Sequence, residues 1–95
     1  MTLIRFDKNY VEITGHSNYS KAGSDIVCSA ISTLTQFVAE IIKRENFGNY
    51  TVKDGYLKIE LKVENEFSIK LFNYLKEAIE SIQKDFPKNV KLEVK

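Results

Sequence analysis

The chain carries one histidine and one cysteine, His16 and Cys28, with a polar stretch between them. A thiol attacks an acyl carbon as its thiolate. An imidazole within reach can take the thiol proton and return it to a leaving amine, so this pair of residue types is able to cleave a peptide bond. Ser24 or Asp25 can cap a helix, because a short side-chain oxygen accepts the free amide hydrogens of a first turn. A helix starting there places Cys28 at about its third or fourth position. The positive end of the helix dipole then favours the thiolate, and free N–H groups offer a place for a developing oxyanion. His16 follows Gly15 at the end of an alternating strand, on the less apolar face.

Between the two lie Ser17, Asn18, Tyr19, Ser20, Lys21, Ala22, Gly23 and Ser24, which have no apolar period and read as an exposed, mobile loop. A loop of that length can bring both side chains to one edge of the domain. Asp25 has two readings, orienting His16 or capping the helix. Taken alone, these residues also fit a plain structural reading, a free cysteine buried in a helix core and a lone exposed histidine.

Other chemistries find less support. One His, one Cys and one Asp fall short of the four protein ligands of a structural zinc site, so no metal is expected. Gly23-Ser24-Asp25 lacks a glycine-rich phosphate motif, Asp25 would oppose a phosphate, and no cofactor is expected. The 14 basic and 13 acidic residues are scattered and leave a net charge of +1, without the basic patch that direct nucleic-acid binding needs. A single cysteine cannot close an internal disulfide. Met1 to Asp7 meets a charge at Arg5 and lacks the apolar core of a signal peptide. No run approaches the eighteen or so apolar residues of a membrane span. These features lead to the expectation of a cytoplasmic protein with no membrane partner.

The elements that must position the pair follow from periodicity. At 95 residues, 43% of them hydrophobic, the chain has material for one domain spanning 1–95. Thr2–Phe6 and Tyr10–Gly15 read as strands joined by a turn at Asp7-Lys8-Asn9. Val27, Ala30, Ile31, Leu34, Phe37, Val38, Ile41 and Ile42 recur at helical spacing and predict a core helix ending near Asn46-Phe47-Gly48. Tyr50–Lys53 and Tyr56–Val63 flank Asp54-Gly55, a hairpin signal. Phe67–Phe86 is a second helix with Leu71, Leu75, Ala78, Ile79 and Ile82 on its apolar side, stopped by Pro87. Val90, Leu92 and Val94 alternate in a last strand. The order is ββαββαβ. It predicts an α+β fold, sandwich-like, with two helices on one face of a mainly antiparallel sheet of about five strands. Tyr10, Tyr50 and Tyr56 are candidates to cover a sheet edge or a dimer contact.

Gly15-His16, a spacer ending in Gly23, and Asp25-Ile26-Val27-Cys28-Ser29-Ala30-Ile31-Ser32 resemble the signature of the ribosomal-processing cysteine protease Prp family, in which GH precedes GxDIVCAAVS at this spacing. Length and element order are compatible from end to end. The resemblance implies a homodimeric endopeptidase. It would remove the N-terminal extension of a large-subunit ribosomal protein, the one numbered twenty-seven, during ribosome assembly. Cys28 would be the nucleophile and His16 its general base and acid, with Gly15, Gly23, Asp25 and Ser32 in support and residues 17–22 and 24 as a substrate loop. Aromatic residues before the scissile bond would call for an apolar pocket near Cys28. Ser17 and Ser29 stand where the family often has alanine. The connecting loop further predicts that His16 and Cys28 lie too far apart for a hydrogen bond when no peptide is bound. The competing reading is a noncatalytic ribosome-associated module that holds a peptide with the same loop and sheet edge.

Overall fold

The computed structural model describes residues 2–15 and 22–95. Its elements run β1 (Thr2–Phe6), β2 (Tyr10–Thr14), α1 (Ala22–Arg44), β3 (Gly48–Lys53), β4 (Tyr56–Leu61), α2 (Glu66–Asp85) and β5 (Val90–Val94), the expected ββαββαβ order. The strands form one sheet in the order β3-β4-β2-β1-β5. All pairings are antiparallel except β1 with β5, which is parallel. The fold is α+β with a mixed, mainly antiparallel sheet.

Alternation divides the sheet into two faces. Ile4 and Phe6 of β1, Val11 and Ile13 of β2, Leu57, Ile59 and Leu61 of β4 and Val90 of β5 are buried beneath the helices. Against them pack Val27, Ile31, Val38, Ala39 and Ile42 of α1 and Phe72, Leu75 and Ile79 of α2, in one continuous core. The other face is polar. There Tyr56 donates to Glu12 at 2.8 Å, Arg5 reaches Glu12 at 3.6 Å and Glu93 at 3.2 Å, and the Lys58 ammonium stands 4.9 Å from the Tyr10 ring centre. Tyr10 and Tyr56 thus sit on interior strands rather than covering an edge. Tyr50 lies on edge strand β3 and donates to Glu40 at 2.6 Å.

Local chemistry sets the helix ends. α2 opens with a capping box: the Asn65 side chain accepts from the Ser68 amide at 2.9 Å, and the Ser68 hydroxyl accepts from the Asn65 amide at 3.0 Å. α1 closes on Asn46 at φ 59°, with Phe47 N–H on the Ile42 carbonyl and Asn46 N–H on that of Lys43. This is the paired hydrogen bonding of a Schellman end, with asparagine in the left-handed position. In the β3–β4 turn only Gly55 takes a positive φ, 73°, so Asp54 does not supply the second left-handed residue of a type I′ turn.

Three expectations change. β4 ends at Leu61, leaving Val63 42% exposed. Phe37, expected in the core stripe of α1, is 65% exposed, and Ile26 on the same outward side is 66% exposed. Finally, Ile26–Arg44 is long and apolar enough to cross a membrane, with a mean hydropathy of 1.4. One side of it is nevertheless buried against the sheet through Val27, Ile31, Val38 and Ile42, as in the core helix of a folded domain.

Candidate active site

Cys28 projects from α1 at the end of the sheet where β1 begins and β2 ends. Its half-buried thiol lies 3.4 Å from the Thr2 hydroxyl. Thr2 is the first inward-facing residue of β1, only 1% exposed, and its amide donates to the Asn89 carbonyl at 2.8 Å just before β5. In the β1–β2 ladder Leu3 stands opposite Thr14, so one step further the register sets Thr2 beside Gly15. Gly15 has φ 85°, a conformation that favours glycine, and its N–H reaches the Gly55 carbonyl at 3.2 Å. The strand that leads to His16 therefore ends beside the strand that touches Cys28.

The helix start differs from the expected one. α1 begins at Ala22, which makes Cys28 its seventh residue rather than its third or fourth. At that depth an amide bonds the carbonyl four residues earlier, and the dipole effect has faded beyond the first turn. Neither a first-turn oxyanion site nor direct dipole activation applies to Cys28. Ala22, Gly23 and Ser24 belong to the helix and not to a loop. The reason for the displacement is local: glycine and serine lower helix propensity, and Ser24-Asp25 is a good capping pair, so the sequence signal favours a later start than the chain adopts.

Ser32 lies one turn beyond Cys28, half-buried, and its carbonyl accepts from the Thr35 hydroxyl at 3.1 Å. Helical spacing puts Ser32 and Cys28 on the same side. His16, Ser17, Asn18, Tyr19, Ser20 and Lys21 lie outside the described residues, and so does the predicted His16–Cys28 separation. The helix includes the Asp25 backbone, while the capping and orienting roles of its side chain are likewise outside what is described. Among the described residues no three His, Cys, Asp or Glu side chains cluster as metal ligands.

Two depressions differ in their relation to the thiol. A shallow apolar groove lined by Ile26, Ser29, Ala30, Thr33 and Leu34 runs along α1 next to Cys28 in sequence. A cavity of about 310 Å³, lined by Phe6, Leu61, Ile69 and Phe72 with Lys8 and Lys76, lies at the other end of β1. Phe6 at that end is four strand steps from Thr2, about 13 Å. It is not part of the thiol site.

A family model described as cysteine protease Prp matches residues 1–91. The chain belongs to the cysteine protease Prp family. It is accordingly a cysteine protease, and Cys28 is its only cysteine. The fold is that of solved Prp structures. An essential ribosomal processing protease Prp from S. aureus in complex with a substrate peptide shares 17% identity with a TM-score of 0.84, all of both chains being covered. The same S. aureus protease with a covalently linked product peptide gives 0.81 at 17% identity, again over the full length of both. SMU.848 from Streptococcus mutans is 26% identical with a TM-score of 0.77, covering 98% of this chain and 90% of that one. No curated protein sequence matches the chain.

Sequence reasoning missed Thr2. Its signal is faint but present: at the inward positions of β1, Thr2, Ile4 and Phe6, a single hydroxyl interrupts an apolar series. Threonine is itself a good strand former, so the interruption passes as ordinary β propensity.

Proposed function

We propose that the chain cleaves the N-terminal extension from a large-subunit ribosomal protein, the one numbered twenty-seven, with Cys28 as nucleophile and His16 as general base and acid. The observation that carries this reading is the half-buried Cys28 thiol at the sheet end where β2 delivers Gly15, the residue before His16. The ribosomal substrate is supported by the S. aureus proteases, described as ribosomal processing enzymes.

In this mechanism His16 takes the Cys28 proton and the thiolate adds to the scissile carbonyl carbon. Collapse breaks the C–N bond, and the amine leaves with the proton from His16. The thioester is then attacked by a water that His16 deprotonates. The acid product departs and the thiol regains its proton. Gly15 and Gly23 serve chain geometry, and Asp25 and Ser32 support the site. Residues 17–21 contact substrate. The protease acts in the cytoplasm, without cofactor and without direct contact to nucleic acid or membrane.

A homodimer completes the proposal. Its support is the outward side of α1, where Ile26 and Phe37 expose apolar surface that a second copy can cover. Incubation of the extended ribosomal protein with wild type, Cys28→Ser and His16→Ala tests the chemistry. One cut by wild type and none by the variants is the expected result. Equal cutting by Cys28→Ser refutes the mechanism, and no cutting by the wild type refutes the substrate.

A further inference from the structure

Thr2 stands apart from the other buried hydroxyls among the described residues, Thr35 and Ser68. Thr35 donates to the Ile31 carbonyl at 2.8 Å within its own helix turn, and Ser68 is consumed by the α2 cap and the Val63 carbonyl. Both satisfy backbone. The Thr2 hydroxyl instead meets Cys28 Sγ at 3.4 Å, and among the described residues that sulfur is its side-chain partner. Thr2 is 1% exposed, so water does not compete for the contact. Its backbone is held along the β5 edge, by the pairing of Thr2 with Val90 and by the Asn89 carbonyl, and the next residue, Leu3, is paired with Thr14 of β2. The hydroxyl is a fixed group, and the sulfur is what it is fixed upon.

We infer that Thr2 is a positioning residue for the nucleophile, its hydroxyl donating a hydrogen bond to the Cys28 thiolate and holding Sγ toward the strand end that leads to His16. This rests on the reading of Cys28 as nucleophile. While the sulfur is a thiol, either atom can be the donor. Once the proton has left, only the hydroxyl can donate. The contact therefore strengthens in the state that attacks, as hydrogen bonds to charged groups do. The charged residues of the strands beside Thr2, Arg5, Lys91 and Glu93, point to the opposite face of the sheet, and Asn89 and Gln83 nearby are uncharged. Glu80, Lys84 and Asp85 of α2 are exposed.

The role has a signature that loose packing lacks. Removing a donor that favours the thiolate about tenfold cuts the thiolate population about tenfold at neutral pH. It also makes each thiolate about threefold more nucleophilic. Thr2→Val is thus expected to slow alkylation of Cys28 by iodoacetamide about threefold near neutral pH and to speed it about threefold at strongly alkaline pH, so the two pH–rate profiles cross. Thr2→Ser, which restores the donor, should follow wild type at both ends. In cleavage assays Thr2→Val should lower kcat with KM unchanged.

Alkylation is read on the intact protein and needs no protein substrate. A crossing profile together with undiminished cleavage by Cys28→Ser would keep the hydroxyl's action on the sulfur and remove only the proposed protease mechanism. Superimposable profiles for wild type and Thr2→Val overturn the inference. So does a shift in one direction at every pH, which is the mark of altered access. Should Thr2→Val fail to fold, Thr2→Ala gives the same comparison, and a non-crossing profile there overturns it equally.

Discussion

The two helices share a core and differ in how they use polar groups. α2 is a self-contained amphipathic element. Its Asn65–Ser68 capping box closes the first turn, Phe72, Leu75 and Ile79 face the sheet, and its buried hydroxyl serves backbone alone. α1 buries Val27, Ile31, Val38 and Ile42 in the same core, yet it also carries Cys28 against Thr2 of β1 and leaves Ile26 and Phe37 exposed on its outer side. One helix completes the scaffold. The other is built for contacts beyond it, with a half-buried thiol near one end and exposed apolar surface along its length.

Removing core volume should show what the helices share. Ile31→Ala in α1 and Ile79→Ala in α2, at 1% and 0% exposure, are each expected to cost about 2–5 kcal/mol in denaturant unfolding, since both leave a cavity under the sheet. A cost at Ile31 far below that at Ile79 would mean that α1 is less firmly docked than its burial shows. The cap separates the helices next. Asn65→Ala should destabilise by about 1 kcal/mol while the rate of Cys28 alkylation stays at the wild-type value, because the box acts only on the start of α2.

The outer side of α1 provides a third contrast. Phe37→Lys should alter stability by no more than about 0.5 kcal/mol at low protein concentration, as a substitution at an exposed site does. It should nevertheless shift a dimer to monomer in analytical ultracentrifugation. An unchanged dimer would place the interface elsewhere.

The smallest expected effect lies on the open face of the sheet, away from both helices. The hydrogen bond to Glu12 raises the Tyr56 phenol above its ordinary 10.0, with burial and the negative charges of Glu12 and Glu60 adding to it. A raised value in the folded state favours folding below pH 10. That contribution is lost as pH rises through the raised value, since the unfolded chain ionises first. Glu12→Gln should bring the Tyr56 titration back toward 10 in phenolate absorbance. No change would mean that the hydrogen bond does not persist in solution.

Much of this architecture was legible in the sequence because it rests on local periodicity. The alternation of Leu57, Ile59 and Leu61, the spacing of Leu71, Leu75, Ile79 and Ile82, and Asp54-Gly55 each encode their own element. Strand order and the parallel pairing of β1 with β5 join residues almost a chain length apart, and no local pattern carries them. The wide apolar stripe of α1 could not separate Val38, which meets the sheet, from Phe37, which does not. At the site, the residue types of His16 and Cys28 were readable, and the resemblance to the family signature gave them the roles proposed above. The start of α1 was displaced by competing cap signals, and the Thr2 contact was hidden because a threonine in a strand is unremarkable until the fold sets it on a sulfur.

The most direct test is mass spectrometry of the extended ribosomal protein after incubation with equal amounts of wild type and Cys28→Ser, both shown to be folded. The account predicts one cut that removes the N-terminal extension with wild type and at least about a thousandfold less product with Cys28→Ser. Product at the wild-type rate from Cys28→Ser would contradict it.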